Sequence, residues 1–267
     1  MDRLGRVRCD SSQSRFNPLR WRTVTASKKT IVALARGIKV LETLSNAEGP
    51  MSNSQIVRAT GYAPSTVSRL TASLVELGYL RISQNTYVLT PKNLSLGYPV
   101  LAGAANTSRA QRVLDDLAAR TGFSTGYAIR DRLYVTFLVV SRPSSPRAVN
   151  VAVGARLPVA ASASGIAILS AIDEPDRTRL MRRIHAELRE RNFSIDQFQQ
   201  AIDDAVNNSY AITTGLWRSD IAAMAVPVRS GGELHALTVI ARTQQLTEGN
   251  QEKILDSLQD VSTWISD

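Results

Sequence analysis

Cysteine is nearly absent. Cys9 is the single one among 267 residues, so neither an intramolecular disulfide nor a cysteine-based metal cluster can form within the chain. Histidine is almost as scarce: His185 falls in a charged helical pattern and His235 in a strand-like run, and neither has cysteine or carboxylate partners at metal-ligand spacing. No Gly-x-Ser-x-Gly elbow and no phosphate-cradling glycine loop occurs, and Ser162-Ala163-Ser164-Gly165 is too generic to mark a nucleophile. The expectation is therefore a protein that is not an enzyme, with no catalytic residue, no metal and no cofactor. Long apolar runs are missing too. Leu133 to Val140 and Ile221 to Val228 are far too short to span a bilayer, and nothing near the N-terminus forms the apolar core of a secretory signal. A cytoplasmic protein without a membrane partner is expected.

Acidic residues are in short supply only at one end. Residues 1–29 hold eight Lys/Arg against two Asp/Glu, residues 30–97 hold six against three, and the remaining 170 hold eighteen against eighteen. The whole net charge of +9 thus lies in the first 97 residues. A polyanion-binding module needs this segregation, whereas a generally solvated surface does not produce it. Residues 1–29 read as a basic flexible arm. Alternatives stay open for it: a membrane-surface tail, a transit-peptide-like leader (Arg-rich and acid-poor), or a stretch created by the choice of start site.

The charged region carries a pattern of its own. Ser52 and Gln55 have the spacing of a capping box, and Ile56, Val57 and Ala59 give the following helix an apolar side. Thr60-Gly61-Tyr62-Ala63 breaks the chain, and Pro64 opens a second helix in which Val67, Leu70, Leu74 and Leu77 mark a core face. Its other face presents Ser65, Thr66, Ser68 and Arg69, short hydrogen-bonding groups and one guanidinium that suit base edges in a major groove. An ordinary helical hairpin with a solvated polar face is the plainer reading. Two β-type runs, Tyr79 to Ile82 and Thr86 to Thr90, follow around Ser83-Gln84-Asn85, as the wing of a winged helix-turn-helix would, with Arg81 and Asn85 near phosphate or minor groove. Upstream, Thr30 to Ser45 is an amphipathic helix with Ile31, Leu34, Ile38, Leu41 and Leu44 on one side and Ser27 as a candidate cap. Residues 30–97 therefore read as one DNA-binding domain.

Residues 98–121 read as a linker helix with Val113, Leu114 and Leu117 apolar, and 122–267 as a second domain. Strand-like runs at Phe123 to Ile129, Leu133 to Val140, Ala148 to Val153, Ile221 to Val228 and Glu233 to Ala241 mix with helical patterns. These cover Ser164 to Ala171, Glu174 to Glu190, Ser194 to Ser209 and about Asn250 to Ile265. Without strict alternation, an antiparallel sheet with helices packed on it is expected, an α+β domain.

Several motifs in this order resemble the IclR family of bacterial transcriptional regulators. They are Thr60-Gly61, Ser65-Thr66-Val67-Ser68-Arg69-Leu70, Glu76-Leu77-Gly78-Tyr79-Leu80, Leu114-x-x-Leu117-Ala118-x-x-Thr121-Gly122, Gly154-x-x-Leu157-Pro158 and Ala225-Val226-Pro227-Val228, within residues 30–265. The resemblance implies a winged helix-turn-helix followed by a GAF-like α+β ligand-binding domain, assembled as a homodimer or homotetramer on double-stranded operator DNA and acting, for example, as a repressor. It also implies an effector pocket at Leu157, Ser162, Ser164 and Gly165, facing Ala223, with Trp217 nearby. This chain departs from the family pattern at Ala160, Ile166, Thr213-Thr214-Gly215-Leu216 and Ala223, which leaves the implied pocket short of charge. An apolar or aromatic small-molecule metabolite fits such a lining. Three other readings stand beside it: Ser162 and Ser164 as helix caps, Trp217 as packing, and a C-terminal domain that only oligomerises.

Overall fold

The protein is described here by a computed structural model covering residues 7–8, 30–47, 49–103, 107–145, 148–190 and 194–266. It contains two compact units, one inside residues 17–103 and one inside 104–267, to which strand β1 (Val7–Arg8) also belongs.

In the first unit, α1 (Val32–Ser45), β2 (Met51–Ser52), α2 (Asn53–Thr60) and α3 (Pro64–Glu76) precede the hairpin of β3 (Leu80–Ser83) and β4 (Thr86–Leu89). The unit closes with α4 (Leu94–Gly103). Local chemistry sets most of these boundaries. Ser52 and Gln55 form the reciprocal capping box at the start of α2: the Ser52 amide donates to Gln55 Oε1 at 2.7 Å and the Gln55 amide to Ser52 Oγ at 3.4 Å. Gly61 ends α2 in the left-handed region, φ +73°, and Pro64 is the first residue of α3. Gly78, φ +76°, stops α3, with the Tyr79 amide reaching back to the Leu74 carbonyl at 2.9 Å. Val40, Leu44, Ile56, Val67, Leu74 and Leu80 form the core, and each contributes about 1.5–3 kcal/mol by leaving water. β2, β4 and β3 make a small antiparallel sheet in that order.

Two expectations fail in this unit. The stripe on α1 does not face the core as a whole, because Ile31, Leu34 and Ile38 are exposed while Val40, Thr43 and Leu44 are buried. Leu77 is also exposed, since α3 ends at its position and nothing of the core reaches that far. Ser27, the candidate cap of α1, lies outside the described residues, as does most of the arm. Ile31 occupies the cap position without a side-chain bond.

The second unit is built on a seven-stranded sheet in the order β1-β8-β9-β10-β5-β6-β7. Its strands are β5 (Ser124–Asp131), β6 (Tyr134–Ser141), β7 (Arg156–Pro158), β8 (Ala211–Thr214), β9 (Ile221–Ser230) and β10 (Glu233–Arg242). All neighbours pair antiparallel except β1, which runs parallel to β8 with Val7 opposite Thr213. Those two arm residues are therefore an edge strand rather than flexible chain. Helices α5 (Thr107–Thr121) and α9 (Glu248–Ser262) pack on one face of the sheet. On the other face lies α6 (Ala163–Ser170), with α7 (Asp176–Glu190) and α8 (Ile195–Asn208) beyond it. Consecutive strand residues show the two faces: Thr125 bonds the Leu114 carbonyl of α5, whereas Gly126 pairs with Thr238, whose hydroxyl meets Ser164 of α6. Covered on both sides, β9 and β10 are buried over most of their length.

The expected linker helix at 98–121 is two helices, α4 and α5. The second belongs to the core of this unit, with Ala110, Val113, Leu114, Leu117 and Ala118 buried. The strand expected at Ala148 to Val153 is absent. Val149 and Val151 are buried in alternation, but the Val149 carbonyl is held by the Ser124 hydroxyl at 2.8 Å and no strand pairs with the segment. Strand β8 has no counterpart in the sequence reading.

Candidate nucleic-acid interface and ligand pocket

Ser65, Ser68 and Arg69 are exposed along α3, with Thr66 half-buried beside them, while Val67, Thr71 and Leu74 anchor the opposite face. Arg69 has no hydrogen bond or ion pair among the described residues, and neither does Arg81, so both guanidinium groups are open to an anion. Ser68 is less free: it accepts a hydrogen bond from Asn53 Nδ2 at 3.2 Å, which ties the start of α2 to α3. On the wing, Arg81 and Asn85 are both exposed. Gln84 and Asn85 adopt φ +46° and +59°, a two-residue turn that matches the twist of β3 and β4. Sequence reasoning placed the turn one residue too wide and passed over Gln84, which shares the exposed tip. Lys92, although exposed, is engaged within the unit, donating to the Leu77 carbonyl at 2.9 Å and lying over the Tyr79 ring.

In the second unit, Leu157, Ser162, Ser164, Trp217 and Ala223 come together around one small space between α6 and the sheet. Phe137, Thr213, Thr238 and Ile240 are among the other residues that line it. No charged residue lines it. The free space is about 30 Å³, room for a water or two rather than for an aromatic ring. Ser162 caps α6, accepting from the Gly165 amide at 3.1 Å and donating to the Pro158 carbonyl at 3.1 Å, which commits its hydroxyl to structure. Ser164 and Thr238 share a buried hydroxyl–hydroxyl bond of 2.7 Å that either can donate. Gly165 does not line the space. A Cβ there would lie 2.3 Å from the Val159 carbonyl oxygen, so the glycine is required by close backbone approach. Thr213 was noted in the sequence only as a departure from the family pattern, not as a lining residue on a strand, because β8 went unseen, and Thr238 escaped because it sits in a run buried on both faces.

The loop carrying Trp217 is pinned by charge. Asp220 accepts from Arg218 Nη2 at 2.9 Å and from Arg242 Nη1 at 2.6 Å. Partial burial opposes ionisation of Asp220, but the hydrogen bonds and charge of the two guanidinium groups outweigh it and hold the carboxyl below its ordinary value. Deeper in the sheet, His235 stacks on Tyr127 with ring centroids 4.5 Å apart, both residues buried. Desolvation pushes the imidazole pKa down, and the charge of Glu233 and the backbone at Ser230 only partly offset it. Among the described residues no group of His, Cys, Asp and Glu is arranged to hold a metal ion, and no helix is long and apolar enough to cross a membrane.

Comparison with known proteins places both units. Residues 33–82 match the IclR helix-turn-helix domain and residues 100–267 match the bacterial transcriptional regulator IclR C-terminal domain. The HTH-type transcriptional regulator TsaQ1/TsaQ2 of Comamonas testosteroni is 33% identical over 165 residues, covering 58% of this chain and 57% of that protein's own length. An IclR family transcriptional regulator from Brucella abortus, of known crystal structure, superposes with a TM-score of 0.67 at 30% identity, covering 93% of this chain and 96% of that one. An IclR homologue from Microbacterium hydrocarbonoxydans, crystallised with 4-hydroxybenzoate, superposes at 0.62 with 22% identity, covering 88% and 97%, a likeness of fold alone.

Proposed function

The chain belongs to the IclR family of bacterial transcriptional regulators, and on that premise we propose that it is a one-component sensor whose operator binding is modulated by a small metabolite held between α6 and the sheet. It is a DNA-binding regulator and not an enzyme. The observation that carries the DNA half of the reading is the free guanidinium of Arg69 on the exposed front of α3, backed by the core of the first unit. In this reading α3 enters the major groove, Ser65, Thr66 and Arg69 meet base edges, and Arg81 and Asn85 of the wing contact the backbone. Exposed apolar side chains on α1 (Ile31, Leu34, Ile38) and α4 (Leu94, Tyr98, Val100) support a homodimer or homotetramer, since apolar surface of this kind marks contact sites. Paired winged helices then read a two-fold operator in the cytoplasm. Effector binding shifts the balance between two spacings of the pair.

The uncharged lining with its Ser164–Thr238 hydroxyl pair suits an apolar or aromatic effector, and the fold is one in which the Microbacterium homologue holds 4-hydroxybenzoate. The small free volume favours a second reading, in which the C-terminal domain only oligomerises. A thermal-shift panel of aromatic acids, beginning with 4-hydroxybenzoate, separates the two. The sensor reading expects a raised melting temperature and altered operator affinity for at least one member. It also expects Ala223→Trp, which fills the space, to leave a folded protein that binds operator and ignores that effector, after about 1–3 kcal/mol of overpacking has been checked by denaturation. A panel without any shift leaves the oligomerisation reading.

A further inference from the structure

Away from α3 and from the enclosed pocket, the second unit has an open depression of about 480 Å³ between α7, the β9–β10 hairpin and the end of β5. Four arginines line it, Arg130, Arg179, Arg183 and Arg229, against only two carboxylates, Asp176 and Glu233. This local excess of positive charge stands out in a stretch of chain whose Lys/Arg and Asp/Glu balance overall. Little in the fold satisfies it. Arg183 has no ion pair or hydrogen bond among the described residues. Arg130 donates to a backbone carbonyl, that of Arg132 at 3.0 Å, and so keeps its charge uncompensated. Arg229 donates to the Ala171 carbonyl at 3.4 Å, and the nearby Asp173 carboxylate is 3.8 Å away with 91% of its side chain in water. Arg179 pairs with Asp176 at 3.0 Å, but their side chains are 71% and 73% exposed, so water screens the pair and an anion can displace it. Beneath this rim the floor is apolar, formed by Ile168 and Leu234 among others.

We propose that this depression is a second ligand site, which takes an organic polyanion with an apolar body, of the nucleoside di- or triphosphate class. Guanidinium forks match phosphate oxygens two at a time, and the floor offers the base a dry surface. The proposal does not depend on the effector reading of the pocket between α6 and the sheet.

The test is calorimetric titration of the full chain with ADP, ATP and inorganic pyrophosphate at physiological salt. Because the basic first unit also attracts polyanions, each titration is repeated on Arg69→Ala and on the Arg183→Ala/Arg229→Ala double variant, whose folding is first checked by its thermal transition. The expected result is saturable binding of one nucleotide per chain, tighter than that of pyrophosphate. The double variant should weaken it by at least about tenfold, and Arg69→Ala should leave it alone. Absence of saturable binding overturns the proposal. So does weakening by Arg69→Ala without weakening by the double variant, and so does equal affinity for pyrophosphate, which would leave the apolar floor without a role.

Discussion

Arg69 is the only long donor on the exposed front of α3, so loss of its side chain isolates one contact. Arg69→Ala should cost about 1–3 kcal/mol in operator binding and relax sequence preference at one position per half-site, read by fluorescence anisotropy on a set of point-varied operators. Unchanged affinity and preference would remove Arg69 from base reading. His235 makes a different kind of statement, about acid stability. Its folded pKa is lowered from an ordinary value of about 6.5, so above that pH both folded and unfolded chains hold it neutral and nothing is lost. As pH falls below about 6.5 the unfolded chain takes up a proton that the folded one resists, and stability declines toward the folded pKa. Denaturant midpoints at neutral and mildly acidic pH should therefore diverge in the native protein. The divergence should shrink in His235→Leu, and an equal divergence in both would assign the acid sensitivity to other groups.

At the scale of elements, what the sequence made legible was whatever local chemistry decides. Ser52, Gln55, Gly61, Pro64 and Gly78 act through the backbone within a few residues, and the helices they bound stand where spacing put them. Side-chain period says which residues share a face but not what covers that face. Ile31, Leu34 and Ile38 therefore looked like core, yet they are exposed within this chain. Alternation at Val149 and Val151 likewise records burial without a paired ladder, and β8, buried at three of its four residues, offers no alternation to find. Of the pocket, the residues borrowed from family motifs came together except Gly165, whose constraint lies in a backbone far shorter than any side-chain pattern reveals. Gly165→Ala should push α6 off Val159 and destabilise the second unit by about 1–3 kcal/mol or more, seen as a lowered thermal midpoint. An unshifted midpoint would mean that α6 has room to yield.

Over the whole molecule the clearest asymmetry is charge: the first 97 residues carry all of the net +9. Eight cations in residues 1–29 should add phosphate contacts without reading sequence, so deleting that stretch should flatten the plot of log affinity against log salt. An unaltered slope would mean that the arm leaves DNA alone, and the pairing of Val7–Arg8 with β8 gives it another place to be. The nearly filled space between α6 and the sheet has a consequence of its own, in time rather than affinity. With room for about 30 Å³, the space would admit the ring-sized guest of the sensor reading only after its lining yields. Entry is then paced by that opening and not by collisions, so beyond a certain concentration more guest brings no faster response. On the sensor reading proposed above, such a regulator would disregard brief pulses and answer only a metabolite that stays.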